Sequence, residues 1–174
     1  NRTKNLIENY GVNPGNILVI TFTKAAAKEM EERFIKLMSG ERLPVSFGTF
    51  HAVFFKILKY AYNYRADNIL REEEKYQWLR ELVEKEQLEI EDAKEFVASL
   101  VSEISAVKGD MIDVSNYYSA NCSDTVFRRI YQRYDERLRR ANKVDFDDML
   151  VMCYELLKAR PDILALWQKK YQFI

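Results

Sequence analysis

Residues Asn16–Phe34, NILVITFTKAAAKEMEERF, place a short apolar run directly before a helix-forming segment. The run Ile17–Phe22 is continuous and rich in β-branched residues, which is typical of a strand buried on both faces of a parallel sheet. Thr23 is a good N-cap, and the Ala, Lys, Glu and Met residues from Lys24 to about Met38 favour a helix. The stretch therefore predicts one strand–helix unit of an α/β domain.

The same order of elements recurs further along the chain. Val45–Phe47 predicts a second strand, Gly48 and Thr49 predict a turn, and a helix is expected over residues 50–62. Tyr171–Ile174 is largely apolar and predicts a third strand that is cut short. Strands that alternate with helices indicate a sheet of parallel strands.

The middle of the chain has a different pattern. No strand is predicted between about Arg65 and Val144, and three apolar faces at helical spacing indicate three amphipathic helices instead. These faces are Leu79, Leu82 and Val83; Phe96, Leu100, Ile104 and Val107; and Phe127, Ile130, Tyr134 and Leu138. Two more helices are expected, one from Asp145 and one over residues 162–170. The fold class that follows is α/β with an all-helical insertion.

Composition and charge restrict the class of protein. Hydrophobic residues make up 48% of the 174-residue chain, so it is globular rather than disordered. Lys plus Arg and Asp plus Glu each number 27, so any signal of nucleic-acid binding must be local.

Cys122 and Cys153 lack metal or redox spacing and are expected to be free thiols in a reducing cytoplasm. We expect no signal peptide, and the sequence has no apolar run of membrane-spanning length.

Residues at the two strand-to-helix junctions form the candidate site. The ligand crevice of a parallel sheet lies at the carboxyl ends of its strands, and the start of a helix attracts anions. Phe22, Thr23 and Lys24 stand at the first junction, and Thr49 and His51 at the second. Two adjacent anion sites beside an aromatic ring suit single-stranded nucleic acid. In the alternative interpretation the threonines are ordinary helix caps and Phe22 belongs to the core.

Two further charged groups allow two interpretations each. Asp145, Asp147 and Asp148 could bind a hard cation, but an N-cap followed by carboxylates that complement the helix dipole is the favoured interpretation. Residues 128–143 contain seven basic and two acidic side chains, which indicates either a solvated helix face or a track for DNA phosphates. We predict no metal ligands and no catalytic residue in this chain.

Four segments resemble motifs of the UvrD/Rep/PcrA group of superfamily-one helicases. Residues 16–34 resemble motif Ia, written TFTNKAAxEMxxR, and residues 45–59, VSFGTFHAVFFKILK, resemble motif Ib. Residues 143–150, KVDFDDML, resemble the DFDDLL segment, and residues 167–174, WQKKYQFI, resemble the lead-in to Walker B. The four segments occur in the order and spacing of that family, although Lys24-Ala25 replaces the usual Asn-Lys of motif Ia.

The resemblance implies a fold and a set of contacts. Residues 1–64 and 145–174 would form a RecA-like domain with a parallel sheet, and residues 65–144 its all-helical inserted subdomain, often called 1B. Phe22 would stack on a DNA base. The other expected single-strand contacts are Thr23, Lys24, Thr49 and His51.

The resemblance also implies an activity for the intact protein. It would be an ATP-dependent DNA helicase that uses ATP and Mg²⁺ to move along single-stranded DNA and to unwind duplex at single/double-strand junctions, as in DNA repair. No G-x-x-x-x-G-K-[ST] segment occurs in the chain. In the family the P-loop would precede Asn1 and Walker B would follow Ile174, so both ends are interpreted as cuts and this fragment is expected to be inactive alone. The alternative is an ATP-independent module that binds single-stranded DNA or another protein.

Overall fold

The computed structural model describes residues 2–174, so Asn1, the first residue of the expected α/β domain, lies outside the described residues. The strands are β1 (Leu18–Thr21) and β2 (Ser46–Thr49), and the α-helices are α1 (Arg2–Glu8), α2 (Lys24–Leu37), α3 (Phe50–Tyr62), α4 (Glu72–Lys85), α5 (Ala93–Gly109), α6 (Asp124–Ala141), α7 (Phe146–Ala159) and α8 (Pro161–Lys170). Within residues 2–174, no helix combines the length and the apolar character that crossing a membrane requires.

The chain divides into two compact units. Unit 1 comprises the described residues up to Ile57 together with Cys153–Ile174, and unit 2 comprises Leu58–Met152. The chain passes from one unit to the other within α3 and again within α7.

Unit 1 contains the sheet. β1 and β2 pair in parallel, with Thr21 opposite Thr49. A parallel pair requires a crossover connection, and α2 lies in that connection. Phe34 of α2 is 3% exposed, and its ring centroid lies 5.6 Å from that of Phe47 on β2. The two-stranded parallel sheet with its helical crossover is compatible with the α/β class that the sequence predicted.

The end of β2 differs from the prediction. Gly48 and Thr49 were expected to form a turn, but they belong to the strand, where they pair with Ile20 and Thr21. A glycine followed by a threonine is typical of a turn, but here pairing with β1 continues as far as Thr49, the last residue of β2, and keeps both residues in the strand. α3 therefore begins directly at the end of the sheet.

The prediction of a third strand over Tyr171–Ile174 is wrong. Only Phe173 forms a bridge, which is parallel to Ile17. The backbone N–H groups of Gln172 and Phe173 both donate to the carbonyl oxygen of Asn16, at 3.0 and 3.2 Å. Because both groups converge on one acceptor ahead of β1, no longer ladder forms.

Unit 2 is built around α4, α5 and α6, and no strand is present in the described residues 58–152 apart from one bridge between Ile69 and Val144. The three predicted amphipathic helices are confirmed. Their apolar faces form one core in which the best-covered side chains, all at most 2% exposed, are Leu70, Leu79, Val97, Leu100, Ile104, Val107, Phe127, Ile130, Tyr134 and Leu138. Burial of each large apolar side chain contributes about 1.5–3 kcal/mol.

Candidate nucleic-acid interface

The two strand-to-helix junctions lie side by side in unit 1. Thr21 ends β1 and Thr49 ends β2, and the two residues are opposite each other in the parallel ladder. α3 starts directly after Thr49, and α2 starts after a two-residue connection, residues 22 and 23, with a bend at residue 22. Pairing in register therefore places the start of both helices at the same edge of the sheet, as the sequence predicted.

Phe22 is a surface residue. Its side chain is 84% exposed, because β1 ends one residue earlier and the chain bends there. Its ring centroid lies 5.1 Å from that of Phe50, the first residue of α3, with the ring planes at 39°. The alternative interpretation of Phe22 as a core residue is wrong, and most of an aromatic surface is open to solvent at the junction.

Thr23 and Thr49 act as helix caps. Thr23 Oγ1 accepts a hydrogen bond from the Ala26 N–H at 3.1 Å, and Thr49 Oγ1 accepts one from the Ala52 N–H at 3.2 Å. Thr23 is exposed, whereas Thr49 is only 8% exposed. The capping interpretation of both threonines is confirmed. Capping is compatible with anion binding, since the first-turn N–H groups of any helix lack partners within the helix.

A groove of about 220 Å³ joins the two junctions. Lys24 and Lys28 line it from α2, and Gly48 and Thr49 line it from the end of β2. Glu31 also contributes, so the groove carries two positive charges and one negative charge. Lys24 is exposed at the first position of α2. Its ammonium group and the positive end of the helix dipole attract an anion to the same place.

His51 lies in the first turn of α3, where it is half-buried. All five sequence-predicted site residues, Phe22, Thr23, Lys24, Thr49 and His51, are thus located at the two junctions of unit 1. Their contacts with DNA stay a prediction. The residue that sequence reasoning missed at this site is Phe50, which carried no signal beyond its place at the start of a helix.

The three carboxylates at the start of α7 contact lysines. Lys108 Nζ lies 2.8 Å from Asp145 Oδ2 and 2.8 Å from Asp148 Oδ1, and Lys75 Nζ lies 2.8 Å from Asp147 Oδ2. Asp145 is fully buried, and its Oδ1 accepts the Asp148 N–H at 2.8 Å, which confirms its role as an N-cap. Both lysines were missed, because nothing in the sequence marks them as partners. We call these five residues the buried charge cluster.

Burial and charge act in opposite directions on the carboxylates of the buried charge cluster. Burial alone would raise the pKa of Asp145, but the Lys108 and Lys75 ammonium groups hold that pKa below its usual value. Burial and the negative charge of Asp145 raise the pKa of Asp148 to about 6. Tyr134 donates a hydrogen bond to Asp145 Oδ2 at 2.9 Å. Ser105 Oγ donates to Asp147 Oδ2 at 2.7 Å, so the three carboxylates are engaged by two ammonium groups and two hydroxyls, a set of donors that does not fit a divalent cation.

The basic stretch on α6 contacts the acidic residues of the α4 region. Arg129 and Arg133 both pair with Glu86, whose side chain is 3% exposed. Arg137 pairs with Glu81 at 2.7 Å, an interaction that also lies within unit 2. The hydrogen bond from Arg129 holds the pKa of Glu86 below its ordinary value. Much of the positive charge that suggested a phosphate track is therefore neutralised inside unit 2.

Comparison with known proteins identifies the same family across the whole chain. The family model of the UvrD/REP helicase N-terminal domain matches residues 1–174. YjcD of Bacillus subtilis is 31% identical over 181 residues, which cover 99% of this chain and 23% of YjcD. The ATP-dependent DNA helicase PcrA of Leuconostoc citreum is 29% identical over 99% of this chain and 24% of its own length. PcrA of Staphylococcus aureus is 26% identical over 97% of this chain and 24% of its own length. The chain spans about a quarter of the length of the curated relatives it matches.

Proposed function

Because this chain belongs to the UvrD/REP helicase N-terminal domain family, we propose that it is part of an ATP-dependent DNA helicase and supplies contacts to single-stranded DNA. The two PcrA proteins to which it is similar are named ATP-dependent DNA helicases. The whole protein would move along single-stranded DNA in the cytoplasm and unwind duplex from single/double-strand junctions.

Our proposal includes a division of the chain. Residues 1–64 and 145–174 form a RecA-like domain, and residues 65–144 form its helical inserted subdomain. The parallel pairing of β1 and β2 on either side of α2 supports the first part. The three-helix core of unit 2 supports the second.

The observation that carries the proposal is the exposure of Phe22. An aromatic ring that is 84% exposed beside two helix starts offers a flat face to a base. The helix starts and Lys24 offer positive potential to the neighbouring phosphates. Stacking of a base on an aromatic side chain contributes about 1–3 kcal/mol. Single-stranded DNA presents both groups, a flat base and a phosphate, at adjacent positions along one strand.

Hydrolysis of ATP, with Mg²⁺ on the nucleotide, would supply the energy for movement in the whole protein. The residues of this chain do not fit that role. None of the five glycines begins a P-loop, and the carboxylates of α7 are engaged by Lys75 and Lys108. The contribution of this chain to the helicase is therefore to bind and orient the strand.

Fluorescence anisotropy with a labelled oligothymidylate tests the proposal. Phe22→Ala should weaken binding by one stacking interaction, a factor of about 5 to 150, and leave the salt dependence unchanged. Lys24→Ala should instead reduce the slope of log K against log salt concentration by about 0.7. Thr49→Ala should weaken binding less than Phe22→Ala because backbone N–H groups remain at the same helix start. His51→Ala should also weaken binding of the oligonucleotide.

Tyr118→Ala is the matched control. Tyr118 is an aromatic residue that is 76% exposed in unit 2, away from the two junctions in sequence. Its replacement should leave the affinity unchanged. Equal affinities of Phe22→Ala and the parent chain would contradict the proposal, as would an equal loss in Tyr118→Ala.

A further inference from the structure

Three phenylalanine rings follow one another at the candidate interface. The Phe22 and Phe50 ring centroids are 5.1 Å apart, and the Phe50 and Phe54 centroids are 6.2 Å apart. Both separations lie in the range of favourable aromatic pairs, about 4.5–7 Å. The series runs from the exposed Phe22 to the half-buried Phe50 and Phe54.

Phe22 itself has little local support. It lies in a bend, outside both β1 and α2, and 84% of its side chain is exposed. Without a neighbouring ring, a side chain in that position would be free to adopt several rotamers, and binding would have to order it. Ordering of one such side chain reduces the affinity for a ligand by a factor of about 2 to 13.

Phe50 is held in place from both sides. It follows Thr49, which is 8% exposed and hydrogen-bonded to the Ala52 N–H. Phe54 lies one helical turn further along α3, which brings the two side chains together on one face of the helix. The backbone of Phe50 is thus fixed by Thr49, the last paired residue of β2, on one side and by the first turn of α3 on the other.

We propose that Phe50 is a positioning residue, which holds the Phe22 ring in the orientation that accepts a base. This inference rests on the proposed function, because it assigns to Phe50 an effect on DNA that passes through Phe22. The Phe50 ring contacts Phe22 within unit 1 and limits its rotamers before DNA arrives. The Phe22 side chain is then already ordered in the folded chain, so the entropy cost of ordering it does not reduce the affinity for DNA.

A double-mutant cycle tests this inference. Phe50→Leu should weaken binding of the labelled oligothymidylate by a factor of about 2 to 13 in the parent chain. In the Phe22→Ala background the same substitution should have no effect, because the ring that Phe50 positions is gone. Phe50→Tyr, which keeps the ring, should bind as the parent does. Phe50→Met is measured in parallel as a second variant without a ring, and circular dichroism verifies that each variant is folded.

The outcomes separate this inference from the proposed function. If Phe50→Leu and Phe50→Met weaken binding equally in both backgrounds, Phe50 does not act through Phe22 and the inference is wrong, while the proposed function stands. The inference is also wrong if Phe50→Tyr loses as much affinity as Phe50→Leu. If Phe22→Ala itself binds as the parent does, the proposed function fails and the inference fails with it.

Discussion

Replacement of Lys108 by methionine removes the positive charge that two carboxylates of the buried charge cluster share. Lys108 is 6% exposed, and its Nζ lies 2.8 Å from both Asp145 Oδ2 and Asp148 Oδ1. Lys75 Nζ would still lie 3.8 Å from Asp145 Oδ2, but Asp148 would lose the lysine that it pairs with, and breaking such a buried pair costs about 3–5 kcal/mol. We expect the free energy of unfolding to fall by that amount at pH 7, out of a total of about 5–15 kcal/mol for a domain.

Asp148 makes this loss depend on pH. Burial and the charge of Asp145 raise the pKa of Asp148 from 3.8 to about 6, and the attraction of Lys108 opposes that rise. A carboxyl whose pKa is raised in the folded state stabilises the fold below its unfolded pKa, and this stabilisation is lost as the pH rises through the folded pKa. Without Lys108 the folded pKa rises further, so protonation at pH 5 should reduce the difference between variant and parent by about 1–2 kcal/mol.

Urea unfolding at pH 7 and pH 5 measures both effects. The chain has two tryptophans, so in a Trp167→Phe background the fluorescence reports on Trp78 alone. Trp78 lies in unit 2, with its ring centroid 6.5 Å from that of Tyr134. Lys94→Met is the matched control, because Lys94 is an exposed lysine on the same helix, α5, and its loss should change the free energy of unfolding by less than about 0.5 kcal/mol.

Two results would refute this reasoning. A loss below about 1 kcal/mol for Lys108→Met at pH 7 would mean that the two carboxylates do not depend on the Lys108 charge. A difference between variant and parent that stays constant or grows at pH 5 would refute the account of Asp148.

Three further outcomes are expected. The chain should bind ATP with Mg²⁺ only weakly because it has no P-loop, and micromolar affinity by calorimetry would contradict this. Glu103→Leu should lower the urea midpoint more than Glu103→Gln, because the Ala120 N–H, 2.8 Å from Glu103 Oε1, would lose its acceptor at a cost of about 1–3 kcal/mol. Burial raises the pKa of Cys153 to about 11, so its thiol should react with a disulfide reagent only after unfolding. Cys122 is half-buried and should react first; equal rates in the native chain would show that Cys153 is accessible.

Features that depend on neighbours in the sequence could be predicted. The apolar positions of α6, Phe127, Ile130, Tyr134 and Leu138, are all at most 2% exposed, as their helical spacing indicated. The four motif resemblances, read from residue order alone, agree with the family that matches residues 1–174. Both results follow because periodicity and motif spacing are properties of short segments, and a helix buries whichever face its own sequence makes apolar.

The exposure of Phe22 could not be predicted in the same way. An apolar residue at the end of a strand is compatible with the core and with the surface. The outcome depends on where the ladder between β1 and β2 stops, and it stops at Thr21 and Thr49. The position of Phe50 beside Phe22 follows from the same pairing. The sequence thus identified the residues of the candidate site, whereas the sheet decided which of them reach solvent.

The interaction partners of charged side chains were predicted correctly only where the partner is close in sequence. Asp145 was predicted as a cap, because the N–H that it accepts lies three residues away. Its contact with Lys108 spans 37 residues, and that of Lys75 with Asp147 spans 72. The amino-acid sequence specifies where each charge lies along its own helix. Only the packing of α4 and α5 against the start of α7 within unit 2 decides which charges leave water, and a charge that leaves water must be paired.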